Sequence, residues 1–166
     1  MPRSTTDATV DAYIGLGANL GDPAQTLAHA LDALAGLPHT TLQARSSVYR
    51  TAPIDSSGPD YLNAVARLRT SLAPRALLEQ LQAIELQHGR ERPYRNAPRT
   101  LDLDLLVYGD AQLDESGLIV PHPRAHERAF VLQPLAEIAP ALRIPGRGTV
   151  MSLLAGVAGQ QIDRLP

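Results

Sequence analysis

An α+β domain with a β-α-β-β-α-β core is predicted by three features of the sequence. Four stretches alternate apolar and polar residues with the two-residue period of a half-buried strand, and two others repeat apolar residues every three to four positions, as an amphipathic helix does. Each of the two helical stretches opens at a proline and closes near a glycine. This order is the split ferredoxin-like arrangement, an antiparallel sheet with helices on one face and the other face free for binding. Here a C-terminal extension is expected to follow the core.

The elements follow in order. Ala12 to Leu16 reads as a first strand, with Ala12, Ile14 and Leu16 on one face and Tyr13 on the other. It runs into GLGANLGDP, a glycine-rich turn whose spacing of Gly15, Gly17 and Gly21 does not fit a dinucleotide fingerprint. Asp22 can cap a helix with Pro23 at its first position and Leu27, Leu31 and Leu34 as its buried stripe, ended by Gly36 and Pro38. Thr41 to Tyr49 reads as a second strand, with Leu42, Ala44 and Val48 alternating against Gln43, Arg45 and Tyr49. The loop TAPIDSSGPD follows, long for a hairpin, and long ordered loops are more often functional than short ones.

Tyr61 to Thr70 is a third strand, with Leu62, Ala64, Ala66 and Leu68 opposite Tyr61, Asn63, Val65, Arg67 and Arg69. Pro74 opens a second helix whose Leu77, Leu81 and Ile84 face the core, and Gly89 ends it. Gln82 and Glu85, three apart, are neighbours on one flank, which spacing alone reads as a solvated helix edge. Leu101 to Tyr108 is the fourth strand. Beyond it, Ala111 to Leu113 and Leu118 to Val120 suggest short strands, Pro134 can start a helix over Leu135 to Ala139, and Thr149 can cap a short helix through Val157.

Composition removes whole classes of function. With 166 residues and 44% hydrophobic content, the chain is expected to be one globular domain with a proper core. A net charge of −2 gives no general pull toward nucleic acid or an anionic membrane. The absence of cysteine rules out disulfides and thiolate metal sites, and together with the absence of any apolar run of membrane-spanning length it points to the cytoplasm. All 15 basic residues are arginine, so a Walker P-loop, a protein-kinase site and Schiff-base chemistry, each of which needs an ammonium group, are excluded.

The chemistry concentrates in RERPYRNAPRTLDLDLLVY. Arg90, Arg92, Arg95 and Arg99 run directly into alternating leucines and aspartates, with Leu101, Leu103, Leu105 and Val107 expected on one face of the strand and Asp102 and Asp104 on the other. Carboxylates two residues apart on a strand sit about 6 to 7 Å apart and repel by roughly 3 kcal/mol at an effective dielectric near 20. A bound cation removes that cost. Mg²⁺ takes one or two carboxylates plus substrate phosphates, and neighbouring arginines suit phosphate oxygens. An amphipathic strand with a merely wet acidic face, after a solvated basic loop, fits the same pattern. Downstream, PHPRAHERAF brings together His122, Arg124, His126, Arg128 and Phe130, the only phenylalanine. Pro123 disfavours a helical His122/His126 zinc pair, and a His and an Arg turned toward phosphates is the better use of the cluster.

GLGANLGD, SVYRTAPI, DYLNAV, the run from GRER through APRTLDLDLL, and VPHPRAHERAFVLQPL, in this order and spacing, closely resemble the 6-hydroxymethyl-7,8-dihydropterin pyrophosphokinase family of folate biosynthesis. The similarity covers about residues 12 to 145. It implies a single pyrophosphokinase domain over residues 1 to 166, with its core at about 10 to 145, acting as a cytoplasmic monomer with ATP and the pterin as its partners and without nucleic acid or membrane. The implied reaction moves the β,γ-pyrophosphoryl group of ATP to the pterin hydroxymethyl oxygen and releases AMP.

The resemblance also implies residue roles. Asp102 and Asp104 would bind two Mg²⁺ ions, with Arg90 and Arg99 holding phosphates and steadying developing charge, and His122 and Arg128 gripping from the other side. Gln82 and Glu85 match positions lining the nucleotide site, while Leu105 and Ile119 would offer backbone groups and apolar contact to adenine. Phe130 and Tyr61 would sandwich the pterin ring, with Asn63, Thr51 and backbone groups near Ile54 and Gly17 reading its polar edge. Loops 17 to 22, 51 to 60 and 87 to 99 are expected to close over substrates. Asn96, Pro123 and Ala18 depart from residues found in relatives, which bears on closed-loop contacts more than on the reaction. Two rivals share the features: an RNA-recognition module of the same strand order, which needs a basic, aromatic open face, and another metal-dependent nuclease or nucleotidyltransferase using the acidic pair.

Overall fold

Hydrogen bonding along both of its edges places the first strand inside a sheet rather than at its edge. In the computed structural model, which describes residues 5–52, 59–88 and 101–166, this strand is β1 (Thr5–Ala18), longer than its sequence pattern. It is followed by α1 (Pro23–Ala35), β2 (Thr40–Arg45), β3 (Tyr49–Thr51), β4 (Tyr61–Leu72), α2 (Pro74–Gln87) and β5 (Asp102–Tyr108). A hairpin of β6 (Leu113–Glu115) and β7 (Leu118–Val120), a short 3₁₀ turn at Ala125–Glu127, and α3 (Ala129–Ile138) come next. β8 (Arg143–Ile144), β9 (Gly148–Thr149), α4 (Val150–Ala155) and β10 (Asp163–Arg164) complete the order. Among the described residues the main sheet runs β10-β3-β4-β1-β5, with β2 also on β4, and every pairing in it is antiparallel. No described helix is long and apolar enough to cross a membrane.

The two helices between the strands form as their caps dictate. Asp22 Oδ1 accepts the Gln25 backbone N–H at 3.2 Å, Pro23 sits at the first helical position, and α1 buries Leu27, Ala30, Leu31 and Leu34. α2 starts at Pro74 and buries Leu77, Leu81 and Ile84, joined by Glu85. These side chains meet Ala12, Ile14, Leu16, Ala66, Leu68, Leu103 and Leu105 from the sheet in one core.

The opposite face departs from expectation: helices lie on both faces. α3 packs Val131, Leu132 and Leu135 against Tyr13, Val65, Leu106 and Val107 in a second core, leaving only part of that face uncovered. The helix begins at Ala129 rather than at Pro134, which lies inside it. Pro134 is in the middle of this ten-residue helix and lacks the N–H that would bond back four residues to the Phe130 carbonyl, so the helix forgoes that hydrogen bond.

Val107 is also on the other face from the one its alternation predicts. Tyr13 pairs Val107 and Ile14 pairs Leu105, so Leu106 is an unpaired bulge residue and the facing reverses after it. Tyr108 thereby turns into the helix-side core, where its hydroxyl donates to the Leu72 carbonyl at 2.6 Å.

The second expected strand, Thr41 to Tyr49, is two. Ser46 interrupts it, its N–H donating to the Val65 carbonyl and its Oγ accepting the Val65 N–H, both at 2.9 Å. Tyr49 is consequently buried, and its hydroxyl donates to Glu137 Oε1 at 2.7 Å. Glu137 also accepts the Ser47 N–H and hydroxyl and meets Arg164 at 3.6 Å, so one carboxylate ties α3 to β3 and β10. Its burial would raise its pKa, but the bonds from Tyr49 and Ser47 and the Arg164 charge outweigh this and hold it below the ordinary value of 4.5. Burial and the same carboxylate push Tyr49 up to about 12.

A carboxylate with a lowered folded pKa stabilises fully above its unfolded pKa and loses that contribution as pH falls through the folded value. Glu137→Gln is therefore expected to cost about 0.5 to 1.5 kcal/mol at pH 7, since the residue is exposed and water screens its charge. Denaturant unfolding at stepped pH should show the gap between variant and parent narrowing below pH 4.5.

Candidate active site

Two glycines open the floor of a cavity on the uncovered part of the sheet. Gly15 and Gly17 share a face of β1 with Tyr13, and across the pairing with β5 they stand opposite Asp104 and Asp102. On the other side, Gly17 pairs Asn63 and Gly15 pairs Val65 of β4. A Cβ on Gly17 would stand 3.3 Å from Asn63 Oδ1, and one on Gly15 would stand 3.3 Å from Leu106 Cδ2. Any side chain here would occupy the space a ligand needs.

The cavity is about 340 Å³. Its floor is Gly15, Gly17 and Asn63; Asp102 and Asp104 stand along β5; Thr51, Ala52 and Tyr61 come from the β3 and β4 ends; and Arg128, Phe130 and Val131 come from the start of α3. Asn63 is buried and its Nδ2 donates to Thr51 Oγ1 at 2.8 Å, which leaves the carboxamide oxygen on the Gly17 side as an acceptor. The Arg128 guanidinium carbon lies 5.3 Å from the centre of the Phe130 ring, a cation–π contact that orients both at the cavity.

His122 is held beside this wall by the same bulge that reverses β5. Its N–H donates to the Leu106 carbonyl at 2.9 Å, and its Nδ1 accepts the Arg124 N–H at 3.1 Å, so the neutral ring carries its proton on Nε2. Desolvation lowers its pKa below 6.5; Asp104 opposes this, while Arg128 and Arg124 add to it. Two carboxylates, hard oxygen donors beside open space, suit a magnesium ion whose remaining ligands are phosphate oxygens and water.

A family model for 7,8-dihydro-6-hydroxymethylpterin-pyrophosphokinase (HPPK) matches residues 13–140. The chain belongs to the HPPK family. A Pseudomonas aeruginosa 2-amino-4-hydroxy-6-hydroxymethyldihydropteridine pyrophosphokinase is 48% identical over 155 residues, covering 93% of this chain and 96% of that one. A relative of the same name from Methylorubrum extorquens is 46% identical, covering 93% and 98%. Among solved structures, wild-type Plasmodium falciparum HPPK-DHPS with pteroate shares the fold at a TM-score of 0.72 and 13% identity. The match covers 96% of this chain but spans only 44% of that one.

The cavity gathers seven of the residues that the sequence attached to the HPPK pterin and metal sites: Gly17, Thr51, Tyr61, Asn63, Asp102, Asp104 and Phe130. Arg128, expected at the phosphates, joins them. Arg90, Arg99 and Ile54 lie outside the described residues. Gln82, Glu85, Leu105, Ile119 and His122 do not line the cavity. Gln82 is exposed on α2, and Ile119, 47% exposed, points away from its buried neighbours Leu118 and Val120.

Glu85 corrects the reading of a solvated helix edge. It is only 6% exposed, and its Oε2 accepts the Leu103 N–H at 2.8 Å, tying α2 to the outer edge of β5. The Leu105 side chain lies in the helix-side core, so what it can offer a ligand is backbone; by the two-residue period its N–H and C=O share the outer edge with those of Leu103. His126 stands apart from His122, in a second cavity with Ser152, Val157 and Gln160. Gly15, to which the sequence pattern attached no site role, lies two residues from Gly17 and so on the same strand face.

The His122 environment gives a direct test. In the ligand-free protein, NMR titration should place its midpoint below 6.5, and Asp104→Asn, by removing the carboxylate that favours the charged ring, should lower it further.

Proposed function

We infer that this cavity is where a reduced pterin meets the phosphates of ATP. As a member of its family, the chain transfers the β,γ-pyrophosphoryl group of ATP to 6-hydroxymethyl-7,8-dihydropterin in folate biosynthesis. The hydroxymethyl group gives up its proton to solvent as its oxygen forms a bond to the β-phosphorus, the bond from that phosphorus to the α,β-bridging oxygen breaks, and AMP leaves with that oxygen. The observation that carries the site assignment is the convergence of a floor opened by two glycines, aromatic groups on separate walls and two carboxylates in one cavity of about 340 Å³.

Each group has a matching use. The open floor over Gly15 and Gly17, between Phe130 and Tyr61, suits a flat ring stacked on aromatic faces. The Asn63 carboxamide oxygen, fixed by Thr51, suits the N–H groups of the pterin edge. Asp102 and Asp104 would hold two magnesium ions, which when bound neutralise phosphate charge and lower the pKa of the attacking hydroxyl. Arg128 reaches this chemistry from α3 as a permanent cation, and Arg90 and Arg99 are assigned to the same phosphates from sequence. His122, whose Nδ1 accepts the Arg124 N–H, has Nε2 left to present an N–H donor to a phosphate. Adenine would lie along the outer edge of β5, near backbone groups of Leu105, with Ile119, Gln82 and Glu85 bordering it. Transfer then rests on positioning and charge stabilisation, without a covalent enzyme intermediate.

The strand order β5-β1-β4 with β2 and β3 beyond it supports a ferredoxin-like βαββαβ core, in a single pyrophosphokinase domain to which α3 and the segment after it are additions.

Incubation with ATP, Mg²⁺ and reduced 6-hydroxymethylpterin, with the nucleotides resolved, should give AMP only when pterin is present. Asp102→Ala and Asp104→Ala should each abolish turnover, and full activity in both would sink the metal assignment. Phe130→Ala is expected to weaken pterin binding about tenfold, from the loss of roughly 1.4 kcal/mol of stacking and burial, as read by calorimetric titration.

A further inference from the structure

Arg128 and Phe130 enter the cavity from a helix start that cannot cap itself. Arg128 occupies the N-cap position of α3 in extended conformation and makes no side-chain cap bond, since a guanidinium has no acceptor to offer the helix. The first backbone N–H groups of a helix need partners from outside it. For Ala129 that partner comes from the far end of the chain: Gln160 Oε1 accepts its N–H at 2.9 Å. The same carboxamide donates through Nε2 to the Glu127 carbonyl at 2.8 Å. One side chain thus bonds the peptide groups on both sides of Arg128.

Gln160 is itself fixed from two directions. Its N–H donates to the Val157 carbonyl at 3.0 Å, and the Val157 side chain is buried in the α3 core. Beyond it, β10 pairs with β3, and the Leu165 N–H donates to the Val48 carbonyl at 2.9 Å. The segment therefore links the two cavity walls, the start of α3 and the strand that carries Thr51. It lies outside residues 13–140 matched by the family model.

We propose that Gln160 is a positioning residue for the transfer reaction, holding the backbone at Arg128 so that the guanidinium and the Phe130 ring keep their places over the cavity. This rests on the reading of Arg128 and Phe130 as substrate contacts. Gln160 is exposed, so its two bonds add little to global stability, but displacement of a substrate-contacting group by about 1 Å can cost up to a hundredfold in rate.

The test is a double-mutant cycle on the full chain, read as kcat and KM for ATP and for pterin, with thermal melts alongside. Gln160→Ala should lower kcat/KM by about five- to twentyfold while shifting the melting temperature by no more than about 5 °C. Gln160→Met, similar in size but without the amide, should match alanine, and Gln160→Glu, which keeps the acceptor for Ala129 but loses the donor to Glu127, should fall between alanine and the parent. In an Arg128→Ala background the alanine change at 160 should cost clearly less than in the parent, because only its effect through Phe130 remains. Equal effects in both backgrounds, a methionine variant with parental activity, or loss of folding in Gln160→Ala would each overturn the proposal. Unchanged activity in Arg128→Ala would instead overturn the reading of Arg128 beneath it. Hydrogen exchange supplies a direct check: the Ala129 amide should exchange faster in Gln160→Ala, and unchanged protection would also overturn the proposal.

Discussion

The pairing of β1 with β5 is the constraint on which the rest of the site depends. It sets Gly17 opposite Asp102 and Gly15 opposite Asp104, so that each carboxylate stands beside a position with no side chain. A shift of one residue in that register would bury the aspartates among the leucines of the helix-side core and turn Leu103 and Leu105 into the cavity. The register is held because Ile14, Leu16, Leu103 and Leu105 all belong to the core that α1 and α2 cover. Burying one such side chain is worth about 2 kcal/mol, so slippage of the strand would forfeit several of these contributions together. Packing on one face of the sheet thereby places the charge on the other.

The bulge at Leu106 completes this division. Before it, β5 sends alternate residues to the cavity; after it, Leu106 and Val107 both meet the core beneath α3. The freed Leu106 carbonyl takes the His122 N–H, anchoring the segment that leads to Arg128 and Phe130. α3 is then tied down at both ends, by Gln160 at its start and by Glu137 to β3 near its finish. The resulting cavity is open where glycines lie beneath it and closed where α3 covers the sheet.

Much of this was legible in the sequence, for identifiable reasons. The two-residue period of LDLDL separated Asp102 and Asp104 from the leucines, and the 3.6-residue stripes with Asp22, Pro23 and Pro74 located α1 and α2. What escaped were features set by partners distant in sequence. Ser46 ends a strand because it fills the ladder opposite Val65, Val107 changes face because β1 leaves Leu106 unpaired, and Glu85 is buried because the outer edge of β5 needs an acceptor. Helix α3 starts before its proline and covers the face expected to be open, since the apolar side chains of Val131, Leu132 and Leu135 need a partner surface and Tyr13, Val65 and Leu106 supply one. The bridging role of Gln160 has no local pattern, because its partners are the backbone groups of Glu127 and Ala129.

Whether the glycine floor between β4 and β5 receives the pterin can be read by mapping amide NMR shifts as 6-hydroxymethylpterin is added with a non-hydrolysable ATP analogue and Mg²⁺. The largest shifts are expected at Gly15, Gly17, Asn63 and Phe130, where an aromatic ring would lie against the backbone and its carboxamide partner. Shifts clustered instead around His126, Ser152 and Val157, in the second cavity behind α3, with Gly17 and Asn63 unmoved, would contradict that placement of the pterin.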